Sequence, residues 1–133
     1  MSARDVLKQI KSKNVEYVDL RFTDPRGKLQ HLTMDKTIVD EGMLNDGVFF
    51  DGSSIAGWKA INESDMILKP DLSRTVMDPY TSHNTMILFC DILDAVKKDP
   101  YERDPRGIAK KAEAYLKKTG IGDKAYFLSL IHI

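Results

Sequence analysis

The run from Thr85 to Leu93 is almost unbroken in apolar side chains, with Met86-Ile87-Leu88-Phe89-Cys90 at its centre. A strand that faces water on one side alternates apolar and polar residues, whereas one covered on both faces does not. The run therefore predicts a central strand, so the remaining sequence must supply both its neighbours and its cover. Cys90 lies inside it, which makes a buried, inert thiol the expected state rather than a nucleophile. A single cysteine forms no internal disulfide.

Neighbours are legible on both sides of that strand. Ser2 and Asp5 make a capping signal, and Val6, Leu7 and Ile10 recur at helical spacing before Lys11, Lys13 and Asn14 close a short amphipathic helix. From Val15 to Phe22 the period changes to two, with Val18, Leu20 and Phe22 on one face and Tyr17, Asp19 and Arg21 on the other, a half-buried strand. Asp24-Pro25-Arg26-Gly27 is a turn, because Pro25 presets its own backbone angle, and Lys28 to Thr33 reads as the returning strand of a hairpin. Ile38, Val39, Met43 and Leu44 are loosely helical in spacing, so a short helix is expected over 34–44, ended by Asn45-Asp46-Gly47. Val48 to Phe50 is a short strand that delivers Asp51.

The stretch 55–80 is rich in Asp, Ser, Asn and Pro with little periodicity, apart from a brief strand at Met66-Ile67-Leu68. Its length marks it as a functional loop region. Asp99-Pro100-Tyr101-Glu102-Arg103-Asp104-Pro105 has two prolines and no period, and is expected to be a linker at a domain boundary. Asp104 is then an N-cap with Pro105 at the first helical position. Ile108, Ala109, Ala112, Tyr115 and Leu116 form an apolar stripe until Gly120, and Lys117 and Lys118 sit at the negative end of the helix. Lys124 to Phe127 begins another strand. The whole is an α+β chain.

Charge and hydropathy exclude several functions. With 20 basic and 20 acidic residues among 133 the net charge is zero, so no overall field draws the chain to nucleic acid or to an anionic membrane. The apolar runs fall far short of the roughly 20 residues that span a bilayer, and the N-terminus lacks a signal peptide's apolar segment, so a cytoplasmic protein is expected. His31, His83 and His132 show no metal-ligand spacing. The sequence DPRG occurs at 24–27 and again at 104–107, once as a turn and once as a helix start; neither has the spacing of a phosphate loop.

The chemistry concentrates in Phe49-Phe50-Asp51-Gly52-Ser53-Ser54-Ile55-Ala56-Gly57-Trp58. One acid and two hydroxyls lie between glycines directly after an apolar run, so Asp51, Ser53 and Ser54 present oxygens to a cationic or polar group where another molecule or chain approaches closely. The same residues are also ordinary turn formers, and a Gly/Ser/Asp turn is the competing reading. A third reading takes Gly52-Ser53-Ser54-Ile55-Ala56 as one residue away from the nucleophile elbow G-x-S-x-G, with Ser54 as nucleophile and His83 as base of a serine hydrolase. An elbow needs a helix straight after its serine, and Gly57-Trp58 with the polar stretch beyond does not supply one.

The residues that follow, Trp58-Lys59-Ala60-Ile61-Asn62-Glu63-Ser64-Asp65-Met66 and Leu68-Lys69-Pro70-Asp71, extend this loop into a run that closely resembles the N-terminal signature of bacterial-type glutamine synthetase. The resemblance includes Tyr17 to Asp24, Phe89-Cys90-Asp91-Ile92 and Tyr101 to Lys110, and reaches about Phe127. It implies a β-grasp (ubiquitin-like) domain over 1–98, then over 99–127 a linker and the first helix and strand of a catalytic domain that is cut short. It also implies a cytoplasmic ligase that joins ammonia to glutamate through a phosphorylated intermediate made from ATP, using magnesium or manganese, in a ring-shaped homo-oligomer, a dodecamer by family. By matched position Asp51 is the residue that attracts ammonium and accepts its proton, Ser54 lines the same pocket, and Gly52, Ser53, Trp58 and Asp65 belong to a loop that docks against the neighbouring subunit's active site. For Trp58 the alternative is local packing over the loop; for Asp65, implied to latch a mobile flap of that subunit, it is a capping role.

The chain departs from the family pattern after Phe127. Where the family continues Gly-Pro-Glu-x-Glu-Phe, with two metal-binding glutamates, this sequence reads Leu128-Ser129-Leu130-Ile131-His132-Ile133, a tail that does not match. The resemblance therefore implies no metal ligands and no ATP-binding residues here, and a piece without ligase activity of its own. The alternative function is a non-catalytic interaction module that docks on full-length subunits. The apolar stripe on the helix that starts at Asp104 is expected to lie exposed and to promote self-association.

Overall fold

A computed structural model describes residues 1–58 and 64–126. The first helix, α1 (Ala3–Ser12), is held at its start by a reciprocal capping box: the Asp5 amide donates to Ser2 Oγ and the Ser2 amide donates to Asp5 Oδ2. Its buried face is Ala3, Val6 and Ile10. Strands β1 (Tyr17–Thr23) and β2 (Leu29–Asp35) form the expected hairpin, and Asp24 organises its turn by accepting from the amides of Arg26 and Lys28 and from the Gln30 side chain. The helix expected over 34–44 is split. β2 runs on to Asp35, a 3-10 turn covers Lys36–Ile38, and α2 is confined to Glu41–Asp46. Two side-chain caps cause the division: Asp35 accepts from the Thr37 amide and Asp40 from the Met43 amide, so the chain restarts twice within a span that periodicity alone reads as one element.

The sheet is completed by β3 (Val48–Asp51), β4 (Asp65–Pro70), β5 (Val76–Met77) and β6 (Thr85–Asp94), in the order β2-β1-β6-β4-β3 with β5 paired to β6. β6 is the predicted central strand, parallel to β1 and antiparallel to β4. Leu20, Leu68, Met86, Leu88 and Ile92 are fully buried, and α1 and α2 close the core with Val6 and Leu44. This mixed sheet with helices is the expected α+β, β-grasp architecture. The stretch 55–80 is less of a loop than its composition suggests, because it contains β4 and β5. β4 escapes period-two reading since it lies between β3 and β6 and buries Met66, Ile67 and Leu68 in succession.

The outer side of β1 also differs from expectation. Asp19, on the face read as solvated, is only 3% exposed. It accepts from Arg21 Nε at 2.7 Å and Thr33 Oγ1 at 2.8 Å, and pairs with His31 Nδ1 at 2.8 Å, while Arg21 also reaches Asp78. Burial pushes this carboxyl up, but the hydrogen bonds from Arg21, His31 and Thr33 outweigh it and hold Asp19 below the usual carboxylate range. Cys90 is buried and without charge-stabilising neighbours strong enough to offset that burial, so its thiol is pushed far up.

The last helix, α3 (Pro105–Thr119), begins at Asp104 as predicted and ends at Gly120. Asp104 accepts both from the Arg106 amide and from the Ile92 amide of β6. Arg106 bonds Asp71 and Asp91, and Lys110 bonds Asp91, so this end of α3 is tied to the sheet by ions. No residue of α3 is buried, and Ile108 and Tyr115 stand exposed on the predicted stripe. Lys124 to Tyr126 form no strand; Phe127 and the tail 128–133 lie outside the described residues.

Candidate functional site

Strand β3 is an edge strand, and Asp51 is its last residue. Its side chain caps the 3-10 turn Gly52–Ser54, accepting from the Ser53 amide at 2.9 Å and the Ser53 hydroxyl at 2.6 Å. The Ser53 hydroxyl and amide hold the Asp51 carboxyl below its ordinary value, and the hydroxyls of Ser64 and Ser54 act in the same direction. The carboxylate is thus ionised, solvent-facing and fixed in direction by its own turn. The turn reading is correct as local structure, with Oδ1 of Asp51 taking both Ser53 bonds.

Asp65 is the first residue of β4 and the register partner of Asp51. The Gly52 amide donates to the Ser64 carbonyl at 2.7 Å, one residue beyond this pair on each strand. That pattern makes Asp51 and Asp65 a non-hydrogen-bonded pair, the kind whose side chains approach most closely and share a face. Phe49 lies on the same face, two residues before Asp51, and is 64% exposed. Phe49 sits in the apolar run of the sequence, and its exposure is not legible there, because the exposed side of an edge strand cannot be told from the buried one without the pairing partner.

The two glycines of the loop serve different needs. Gly57 takes φ +90°, a conformation that side chains resist. Gly52 is buried, and a Cβ there would stand 2.2 Å from Met66 Sδ, so its lack of a side chain admits the chain's own β4 rather than an outside molecule. Ser54 is exposed at the end of the 3-10 turn, while Ile55 turns inward to the core. Trp58 is 5% exposed and packs within this chain, stacked on Phe22 with centroids 5.7 Å apart and edge-on to Phe50 and Tyr101. Its Nε1 has no hydrogen-bond partner among the described residues. The ring therefore performs the local packing that sequence reasoning set beside an interface role.

No nucleophile elbow exists here. A turn, not a helix, follows Ser54, and His83 pairs instead with Glu16 and the Tyr17 ring at the start of β1. Among the described residues no three His, Cys, Asp or Glu side chains are grouped to hold a metal ion, and no helix is long and apolar enough to cross a membrane.

Residues 14–95 match the family described as glutamine synthetase, β-grasp domain. Glutamine synthetase of Rhizobium meliloti (strain 1021) is 65% identical over 125 residues, which is 94% of this chain and 27% of that protein. Glutamine synthetase of Azorhizobium caulinodans is 60% identical over 126 residues, 95% of this chain and 27% of that protein. Among solved structures, Plasmodium falciparum glutamine synthetase superposes with a TM-score of 0.80 at 25% identity, over 90% of this chain and 23% of that one. The chain spans about a quarter of the length of the curated relatives it matches.

Proposed function

From the premise that this chain belongs to the glutamine synthetase β-grasp family, we propose that it contributes the ammonium-site loop to a cytoplasmic glutamate-ammonia ligase. In this reading Asp51 attracts ammonium and takes its proton, Ser54 lines the pocket, and Gly52, Ser53 and Asp65 form the loop that docks on a neighbouring subunit's active site. The reading rests on one observation above others: an ionised carboxylate fixed at the tip of an edge strand, opposite a second carboxylate, on a face that also exposes Phe49. Two like charges in a close cross-strand pair are mutually unfavourable, and a small cation between them relieves the repulsion.

The exposed Phe49 ring beside the acids suits a face that becomes covered. Covering it with a second subunit removes water, strengthens the attraction for ammonium and raises the Asp51 carboxyl from its present low value. That rise matters, because a strongly acidic carboxylate is a poor proton acceptor. As it stands alone the loop is an electrostatic anchor; under a partner's surface it becomes a base as well.

The ligase reaction also calls for ATP, glutamate and magnesium or manganese, whose metal supplies charge neutralisation for the transferred phosphate. Among the described residues no three His, Cys, Asp or Glu side chains are grouped to hold such a metal. A ring-shaped homo-oligomer, a dodecamer in this reading, is the assembly that brings the loop to a partner's site.

The test is Asp51→Asn in the assembled enzyme that carries this sequence, with initial rates measured against ammonium concentration. A loss of about a hundredfold or more in kcat/KM for ammonium is expected from removing both charge and base. An unchanged ammonium dependence rejects the assignment.

A further inference from the structure

The carboxylate of Asp51 is useful only if its loop is held still, and the loop is held from two directions. At the β3 end the Gly52 amide donates to the Ser64 carbonyl. At the other end two successive backbone carbonyls, of Gly57 and Trp58, are claimed by side chains far along the sequence. Arg103 Nη1 donates to the Gly57 carbonyl at 3.1 Å, and the Tyr101 hydroxyl donates to the Trp58 carbonyl at 3.0 Å. The Tyr101 ring also meets the Trp58 ring edge-on, with centroids 5.9 Å apart.

The segment that supplies these donors is itself fixed. The Tyr101 amide donates to the Ile92 carbonyl at 2.8 Å, the Asp94 amide donates to the Asp99 carbonyl at 2.9 Å, and Pro100 bridges to Leu93. Asp104, 1% exposed, accepts from the Ile92 amide and caps α3. Residues 99–104, aperiodic and proline-bounded in sequence, thus form a strut from the central strand to the loop.

We propose that Tyr101, assisted by Arg103, is a positioning residue for the Asp51 carboxylate: its phenol and ring clamp the Trp58 end of the loop to the 99–104 strut and so fix where the acid points. This rests on the reading of Asp51 given above. Tyr101 carries the larger share, because its ring is half-buried whereas Arg103 is exposed and its bond competes with water.

Tyr101→Phe keeps the ring against Trp58 and removes only the hydroxyl. In the 133-residue chain, hydrogen exchange at the Ile55 and Trp58 amides, which bond to the Gly52 and Ile55 carbonyls, is expected to quicken about fivefold, the equivalent of one ordinary hydrogen bond. Unchanged exchange overturns the clamp. In the assembled enzyme the same variant raises the KM for ammonium by about fivefold and leaves the KM for glutamate in place; Arg103→Gln does so to a smaller extent. A fall in kcat with every KM unchanged means that Tyr101 only supports the fold, and it overturns the proposal. Asp51→Asn, run beside these variants, separates the two claims. If it leaves ammonium use intact the site assignment fails, and if it impairs ammonium use while Tyr101→Phe does not, the positioning role alone fails.

Discussion

Asp51 and Asp65 face each other across the end of the β3–β4 ladder as a non-hydrogen-bonded pair, and the ladder closes immediately beyond them through the Gly52 amide and the Ser64 carbonyl. Two carboxylates in that geometry work against the sheet that holds them. What compensates Asp51 is its own turn, through the Ser53 amide and hydroxyl. The two acids thus end the ladder at a place where, among the described residues, β3 has no further strand on its outer side.

Like charges directly opposite one another across an antiparallel pair are destabilising, so removing one of the two should stabilise the sheet. Asp65→Asn is expected to raise the urea midpoint of this chain at low ionic strength, and the gain should shrink toward zero near 1 M salt, where the screening length falls to about 3 Å. If the loop serves ammonium as proposed, the same change in the assembled enzyme is expected to raise the KM for ammonium. No gain at low ionic strength, or a gain that does not shrink with salt, would show that the two carboxylates do not repel one another.

Gly52→Ala drives a methyl into Met66, whose Sδ would be 2.2 Å away. Overpacking of that kind costs about 1–3 kcal/mol, and relief requires β3 and β4 to part where Asp51 is held. Thermal unfolding of Gly52→Ala, alone and combined with Met66→Val, tests the cause: the smaller side chain at 66 should recover part of the loss.

Trp58 is the chain's one tryptophan, so its emission reports directly on the loop. The ring is buried among Phe22, Phe50 and Tyr101, and its native emission should be blue-shifted and move red on unfolding. Trp58→Ala is expected to cost about 3–5 kcal/mol from chemical denaturation. Trp58→Phe should cost less than about 2 kcal/mol, because it keeps an aromatic ring and removes an N–H that has no partner among the described residues.

Two of the buried acids, Asp19 and Asp104, respond to pH with opposite signs. Asp19 is held below its ordinary value near 3.8 by Arg21, His31 and Thr33 against the cost of burial, so its stabilising contribution is complete above that value and is lost as pH falls below it. Asp104 is raised, chiefly by burial, so its cost appears as pH rises from about 3.8 through its higher folded value and stays constant beyond. Urea unfolding across pH should therefore show a flatter acid limb for Asp19→Asn. Asp104→Asn leaves one backbone amide without its carboxylate oxygen and starts less stable, but its deficit relative to the unsubstituted chain should narrow as pH rises.

Much of this protein is written locally. The capping box at Ser2 and Asp5, the turn at Asp24, the central apolar strand and the start of α3 at Asp104 each depend on residues within a few positions of one another, so spacing and residue type reveal them. The loop around Asp51 was legible for the same reason, since an acid, two serines and flanking glycines make their turn among themselves. Tertiary structure alone decided what lies across a pairing or beneath a ring. It set Asp65 opposite Asp51, left Phe49 outward on an edge, buried Asp19 under Arg21, His31 and Thr33, and brought Tyr101 and Arg103 of the 99–104 segment against the carbonyls of Trp58 and Gly57. The physical reason is that hydrogen bonding and burial between distant segments depend on sheet register, and register is fixed by the whole set of packed faces rather than by any one strand's sequence.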